Sequence, residues 1–291
     1  MTALPVSDAG LDDAPMTLAD GLFRDRVVLV SGGGSGIGKA TAWMMARLGA
    51  KVAICGRTAE RLVGVETAFR DRGWPLLTQT CDIRDEQAVE SLFDAVEARF
   101  GLPDILVNNA GGQFAQAADK ITPKGWRAVI ETNLTGTWLM MQTAAQRWIA
   151  ASRGGVIVNV TAANERGMPG IAHSSAARAG VANASRTAAV EWAPHGIRIN
   201  CLAPGLVDSG GLSVYPAEAR ASFYRANPQR AVGDPWDMAQ IIGFLASHSA
   251  RYITGTTLTA DGGAALWGDL WTIERPAFFS DSQQEAACHV A

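Results

Sequence analysis

The chain has 291 residues, 25 Lys and Arg against 28 Asp and Glu, and a composition that is 48% hydrophobic and 18% charged. That apolar content excludes intrinsic disorder as the main state, and the length suits one large α/β domain. A formal charge of −3 without a basic stripe excludes the electrostatic footprint of a nucleic-acid binder.

The first stretch carries Asp8, Asp12, Asp13 and Asp20 and no Lys or Arg before Arg24. It lacks the basic and apolar regions of a secretion signal, so residues 1–20 are expected to form a disordered acidic tail. From Arg26 onward, β-branched runs alternate with helical stretches. Strands buried on both faces are expected at Val27–Val30, Val52–Ile54, Leu76–Thr80, Ile105–Val107, Val156–Val160, Ile197–Leu202 and Thr256–Leu258. Helices are expected at Gly38–Leu48, Ala59–Arg72, Glu86–Phe100, Trp126–Ala151, Ser175–Trp192 and Trp236–Ser247. This alternation predicts an α/β fold, a Rossmann-type doubly wound parallel sheet of about seven strands with helices on both faces.

Residues 21–263 read as one domain, with a lid-like insertion at 206–235. Residues 264–291 read as an aromatic extension holding Trp267, Trp271, Phe278 and Phe279. Cys55, Cys81, Cys201 and Cys288 stand far apart, without CxxC pairs or zinc-like spacing. Reduced thiols and no metal site are the expectation. No apolar run is long enough to span a bilayer, so a cytoplasmic protein without a membrane or nucleic-acid partner is expected.

The first strand runs into Ser31-Gly32-Gly33-Gly34-Ser35-Gly36-Ile37-Gly38 and then a helix. Glycines here permit a tight turn and bring backbone N–H groups to a pyrophosphate at the positive helix end. Gly32, Gly34, Ser35 and Ile37 are therefore candidate dinucleotide contacts. The next strand ends at Ile54-Cys55-Gly56-Arg57, with no carboxylate where an NAD site places one on the ribose. Arg57 offers a fixed guanidinium suited to a 2′-phosphate, which favours NADP(H). The competing reading of Arg57 is a solvated residue at a helix start.

These residues, with Cys81-Asp82-Ile83, Asn108-Asn109-Ala110-Gly111, Thr132-Asn133-Leu134, Pro204-Gly205 and Asp261-Gly262-Gly263, resemble the short-chain dehydrogenase/reductase superfamily over roughly Gly21 to Gly263. The resemblance implies that Asp82 and Ile83 flank the adenine and that Asn109 and Gly111 line the cofactor cleft. It also implies that Pro204 and Gly205 shape the nicotinamide pocket and that Ser209 meets the carboxamide. A homodimer or homotetramer is implied as well, through the small-residue face of the helix after Ser175.

Most members of that superfamily pair a tyrosine with a lysine four residues on, with a serine upstream. Here the stretch is His173-Ser174-Ser175-Ala176-Ala177-Arg178. Arg178 stands at the lysine position and Ser174 at the tyrosine position, while Thr161 or Ala162 replaces the upstream serine. Tyr215, Tyr224 and Tyr252 are the only tyrosines and none is near. A serine hydroxyl is too weak an acid to protonate a forming alkoxide. Reduction of a C=C bond conjugated to a thioester needs no strong acid there, because the charge develops on an oxygen held by hydrogen bonds.

Finer detail resembles the peroxisomal trans-2-enoyl-CoA reductase subgroup, which also lacks the tyrosine. It is carried by Gly111-Gly112-Gln113-Phe114, Lys124-Gly125-Trp126, Glu131-Thr132-Asn133-Leu134-Thr135-Gly136-Thr137, His173-Ser174, Ala176 to Val181, Glu191-Trp192 and Gly196 to Cys201. The implied activity is NADPH-dependent reduction of a trans-2-enoyl-CoA or similar acyl thioester. The chain departs from the subgroup in lacking a peroxisomal C-terminal tag and an evident coenzyme A phosphate cluster. Arg153, Arg166, Arg220, Arg225 and Arg230 are scattered.

The expected catalytic set is Asn133, Thr161, Ser174 and Arg178, each with a structural reading beside it. Asn133 either holds a water or substrate oxygen at a helix kink or is a satisfied core amide. Ser174 either donates to the thioester oxygen or caps a helix. Thr161 either helps bind substrate or simply ends a strand. Arg178 holds ribose hydroxyls. His173 either protonates Cα or is structural. Two alternatives stand beside the enoyl thioester reading: an alcohol or carbonyl oxidoreductase for a hydrophobic small molecule, and a non-catalytic NADP-binding subunit.

Overall fold

Residues 7–210, 212 and 223–266 are described by the computed structural model. The strands are β1 (Val27–Ser31), β2 (Lys51–Gly56), β3 (Leu76–Thr80), β4 (Ile105–Asn108), β5 (Gly155–Val160), β6 (Ile197–Pro204) and β7 (Thr257–Ala260). All pair in parallel in the order β3-β2-β1-β4-β5-β6-β7. The order reverses between β1 and β4, and ligands of open α/β sheets bind outside the carboxyl ends of strands at such a switch.

Period-two side-chain alternation explains why the strands read as apolar throughout. Val28 and Val30 belong to one core layer with Trp43, Phe69 and Ile242. Val27 and Leu29 belong to the other, with Phe93, Met140 and Trp148. The first layer is built by α2 (Gly36–Arg47), α3 (Ala59–Asp71) and α8 (Pro235–Ala246), the second chiefly by α4 (Glu86–Phe100) and α6 (Gly136–Ala150). Local chemistry sets the helix starts. Asp85 accepts from Gln87 N and Ala88 N to begin α4, and Asp234 with Asp237 forms a capping box on α8.

The helix expected over Trp126–Ala151 is two helices, α5 (Pro123–Ile130) and α6, joined by a π turn at Glu131–Thr135. α7 (Ala172–Trp192) begins three residues before the expected Ser175. Ile197–Leu202 was too short for β6, which extends through Ala203 and Pro204 by pairing with Thr259 and Ala260.

The expectation of a disordered acidic tail fails for residues 7–20. Asp8–Asp13 form a helix, α1, with Leu11 buried and Ser7 capping it. Asp8 pairs with Lys39, Asp12 pairs with Arg72 and accepts from Trp43 Nε1, and Arg47 Nη1 donates to Leu11 O and Ala14 O. The partners lie 31 to 60 residues away, so local acidity conveyed charge and nothing of its complement. Residues 1–6 lie outside the described set.

The insertion at 206–235 is closed at its base by a parallel bridge between Val207 and Gly233. Its middle, 211 and 213–222, lies outside the described residues, as does the aromatic extension from 267 on.

Candidate active site

β1 ends at Ser31 and the chain turns at once through Gly32 into α2. Gly32 has φ +68°, and a Cβ there would lie 2.9 Å from Asn109 Nδ2. Gly38 is tighter still, its missing Cβ falling 2.3 Å from Gly32 O. The turn therefore exists only with hydrogen at these positions. Ser35 stands at the N-cap of α2 without a side-chain bond to the helix, so no side-chain cap competes with an anion for the first-turn N–H groups. Ser31 Oγ accepts from the backbone N–H groups of Asn109 and Ala110, and Asn109 Nδ2 donates to Ser31 O and Gly32 O. Two strand ends are thereby stitched into one wall.

A cleft of about 680 Å³ opens against that wall. Gly32, Gly34, Ser35, Ile37, Arg57, Asp82, Ile83, Asn109, Gly111 and Ser209 all line it. Arg61 and Thr58, not singled out from the sequence, line it as well; their signal was only that they follow Arg57 into α3. Arg84 beside Asp82 holds its carboxyl below the usual carboxylate range, and its field is reinforced by Arg57. Cys55 and Cys81 also border the cleft; the Cys81 side chain, then burial, push the Cys55 thiol well above the usual thiol range. The volume, the glycine cradle, the helix N-terminus and the arginines fit a dinucleotide, with Arg57 and Arg61 on one flank.

A second group of residues gathers past the Gly111 end of the cleft. Arg178 Nη1 donates to Val160 O at 2.7 Å, and a Cβ on Gly111 would fall 2.1 Å from Arg178 Nη2. Only glycine lets the guanidinium occupy that space. Arg178 has no carboxylate partner among the described residues, and desolvation pushes its pKa down to about 10. It remains a cation at neutral pH, poised for hydroxyls or an anion.

Asn133 sits inside the π turn, fully buried. Its Oδ1 accepts from Gly112 N and its Nδ2 donates to Gly112 O, both at 2.9 Å. A π turn inserts a residue into the helical winding, and here the displaced amide clamps the loop that carries Gly111. Ser174 Oγ accepts from Asn133 Nδ2 at 3.4 Å and donates to Gln113 Oε1 at 2.7 Å. Ser174 is the third residue of α7, behind Ile171 at the N-cap, so the capping reading of Ser174 is set aside. Its single proton is directed at Gln113.

Thr161 Oγ1 donates to Leu202 O at 3.0 Å, alongside the Thr161 N–H at 2.7 Å. Its donor closes the β5–β6 edge, and only its lone pairs remain for a substrate. Pro204 and Gly205 do not line the cleft. Gly205 N donates to Ala260 O and Pro204 O accepts from Ala163 N. Ser209 reaches it from the following loop, its carbonyl 2.8 Å from where a Cβ on Gly36 would be. His173 is buried; its Nδ1 accepts from Ser174 N at 2.7 Å, and Nε2 has no partner among the described residues. The His173 ring meets Phe114 edge-on at 4.5 Å.

Gln113 is the residue for which sequence reasoning gave no role, though its segment was matched. Its signal is tertiary, because the Ser174 bond spans 61 residues. Tyr224 and Tyr252 are exposed and absent from the cleft lining, and Tyr215 lies outside the described residues. No group of three or more metal-ligating side chains occurs among the described residues. No described helix is long and apolar enough to cross a membrane.

Comparison with known proteins adds three kinds of relative. Residues 32–265 match the family described as Enoyl-(Acyl carrier protein) reductase. A protein of Bacillus subtilis named probable 2,4-dienoyl-CoA reductase is 38% identical, over 84% of this chain and 98% of that one. Cis-4-hydroxycyclohexanecarboxylate dehydrogenase of Sinomonas cyclohexanicum is 42% identical, over 83% and 97%. Among solved structures, a citronellol catabolism dehydrogenase of Pseudomonas aeruginosa PAO1 superposes with a TM-score of 0.77 at 38% identity, covering 86% of this chain and 98% of that one.

Proposed function

The chain belongs to the short-chain dehydrogenase/reductase family, and from that premise we propose that it is an NADPH-dependent reductase of the C=C bond in an α,β-unsaturated acyl thioester such as a trans-2-enoyl-CoA. The observation that carries this reading is Ser174 at the place of the phenol acid, with its proton given to Gln113 and no tyrosine lining the cleft among the described residues. A site of that kind suits a reaction in which negative charge is spread over an enolate and held by hydrogen bonds. The name of the Bacillus subtilis relative supports the same substrate class.

The chemistry a reduced nicotinamide supplies when bound is hydride for the β-carbon. Arg178 orients the ribose, Arg57 takes the 2′-phosphate, and the Gly32 turn with the α2 N-terminus takes the pyrophosphate. Asn133 keeps the Gly111–Gln113 loop in place while charge develops on the thioester oxygen. A proton taken up at Cα from solvent water completes the reduction.

A second reading, oxidation of an alcohol or reduction of a carbonyl, is favoured by the 42% identity to the hydroxycyclohexanecarboxylate dehydrogenase. A further part of the proposal is self-association through the exposed small residues of α7, Ala176 and Ala179 among them, as a homodimer or homotetramer.

The test is an NADPH-oxidation screen over enoyl-CoA, dienoyl-CoA, ketone and aldehyde panels. Turnover of enoyl thioesters well above carbonyl compounds is expected. Robust ketone reduction with no thioester turnover establishes the second reading, and NADPH binding without any turnover reduces the protein to a dinucleotide-binding subunit.

A further inference from the structure

The hydrogen bonds around Ser174 have a direction that can be read residue by residue. The Gly112 backbone fixes Asn133, because its C=O can only accept and its N–H can only donate. Asn133 Nδ2 therefore faces Ser174 Oγ, which must accept there. The one Ser174 hydroxyl proton then goes to Gln113, whose Oε1 is held at 2.7 Å. With Oε1 engaged, Gln113 turns its Nε2 and both of its N–H groups away from Ser174. Nε2 has no acceptor among the described residues, and Gln113 lies exposed two residues beyond the cleft-lining Gly111.

We propose that Gln113 is a catalytic residue whose carboxamide N–H groups hold the thioester oxygen of the substrate, with Ser174 and Asn133 as positioning residues that act through it. This rests on the thioester reading given above. The role expected of Ser174, direct donation to that oxygen, passes to Gln113 because Ser174 has no second proton. In the step concerned, hydride forms a new C–H bond at Cβ and the C=C pair shifts to form a Cα=C1 bond. The carbonyl π pair moves onto oxygen, leaving an enolate, and the nicotinamide is oxidised. Gln113 gives hydrogen bonds and no proton, and Cα afterwards takes its proton from a solvent water, which leaves as hydroxide and is neutralised by the buffer. Donors aimed where charge develops are worth more in the transition state than in the ground state.

The experiment uses the intact enzyme with NADPH and a 2-enoyl-CoA, comparing wild type, Gln113→Leu, Gln113→Asn, Ser174→Ala and the Gln113→Leu/Ser174→Ala pair. Gln113→Leu should lower kcat by about a hundredfold, the scale of one lost oxyanion donor, with NADPH affinity and melting temperature unchanged. Gln113→Asn keeps the amide on a shorter arm and should lose nearly as much. Ser174→Ala should lose less alone and nothing more in the Gln113→Leu background. A separate readout is the infrared stretch of a ¹³C-labelled thioester carbonyl in a bound saturated acyl-CoA, which should shift to lower frequency in wild type and not in Gln113→Leu. If wild type turns over enoyl thioesters while Gln113→Leu stays within threefold of its kcat, the assignment to Gln113 is overturned. Additive losses in the double variant overturn the relay through Ser174. Absence of wild-type thioester turnover instead removes the reading beneath both.

Discussion

The two ends of the site are built by different means. One end is formed by turns that follow strand ends: Gly32 through Ile37, then Gly56-Arg57, then Asp82-Ile83. The other end is made of side chains converging from α7, a π turn and a loop, namely Arg178, Ser174, Asn133 and Gln113. The first depends on where backbone atoms can go and the second on which way protons point. Shape at the first end and polarity at the second are therefore the quantities to perturb.

Two glycine-to-alanine changes draw the contrast most sharply. In Gly38→Ala the new Cβ would meet Gly32 O at 2.3 Å and Asn109 Nδ2 at 2.5 Å, and the first contact is with backbone that cannot yield without opening the turn. Dinucleotide binding should be lost together with thermal stability. In Gly111→Ala the nearest atom is Arg178 Nη2 at 2.1 Å, the mobile end of a long side chain. The fold should survive while kcat/KM falls by about a hundredfold, the scale of an ångström-level misplacement. Turnover and calorimetry on both variants measure this. Near-normal turnover in Gly111→Ala means that the guanidinium is not needed where it lies.

Charge at Arg178 gives a pH-dependent form of the same contrast. Desolvation lowers its pKa to about 10, so the cation is present below that pH and is lost as pH rises through it. Affinity for NADPH should weaken on the alkaline side in step. Arg178→Lys places an ammonium of lower intrinsic pKa in the same desolvated position, moving the alkaline limb down by about two pH units. Titrations of binding against pH for the two proteins should differ in that limb. Superimposable profiles exclude Arg178 as the titrating group.

At the end formed by the strand-end turns, charge enters through Arg57. Arg57→Ala should weaken NADPH by about tenfold or more, since hydrogen bonds to charged groups contribute about 1.5–3 kcal/mol, and leave NADH nearly unchanged. Equal losses would give the 2′-phosphate to another group, with Arg61 on the same cleft as the next candidate.

How far each region was legible in the sequence follows from this difference. The strands, the sheet and the glycine turn were legible because period-two burial and the clustering of glycines are local. Gly32, Gly34 and Arg57, read from the glycine turn and the second strand's end, and Ile83, implied by the family resemblance, all line one cleft. Gln113 had no assigned role because its partner Ser174 is 61 positions away and is an ordinary residue type. Thr161 reads from the sequence equally as a substrate contact or as a plain strand-end threonine, and its donor serves Leu202 on the neighbouring strand. For the acidic segment, composition conveyed solubility and concealed docking, since Arg72, Lys39 and Trp43 belong to other elements.

That docked segment gives the smallest effect, and its pH dependence separates charge from packing. Asp12 receives Nε of Arg72 at 2.8 Å and Nε1 of Trp43 at 3.0 Å. Arg72 in turn lies 4.5 Å over the Trp43 ring, within an edge-on cluster of Trp43, Phe69 and Trp74. The Arg72 guanidinium holds the Asp12 carboxyl below its usual range, with help from Trp43 and Arg47. A depressed folded-state pKa stabilises above the unfolded value near 3.9 and is lost as pH falls through the folded one. Asp12→Asn should therefore cost about 1–2 kcal/mol near neutrality for a partly exposed pair, a melting shift of a few degrees. The gap between variant and wild type should close on acidification, as protonation of Asp12 removes the same charge that the substitution does. A variant as stable as wild type at every pH means the segment is held by Leu11 and Ala14 in the core and not by its charges. In either case the glycine turn of α2 keeps its shape, so dinucleotide affinity should be the same in Asp12→Asn as in wild type.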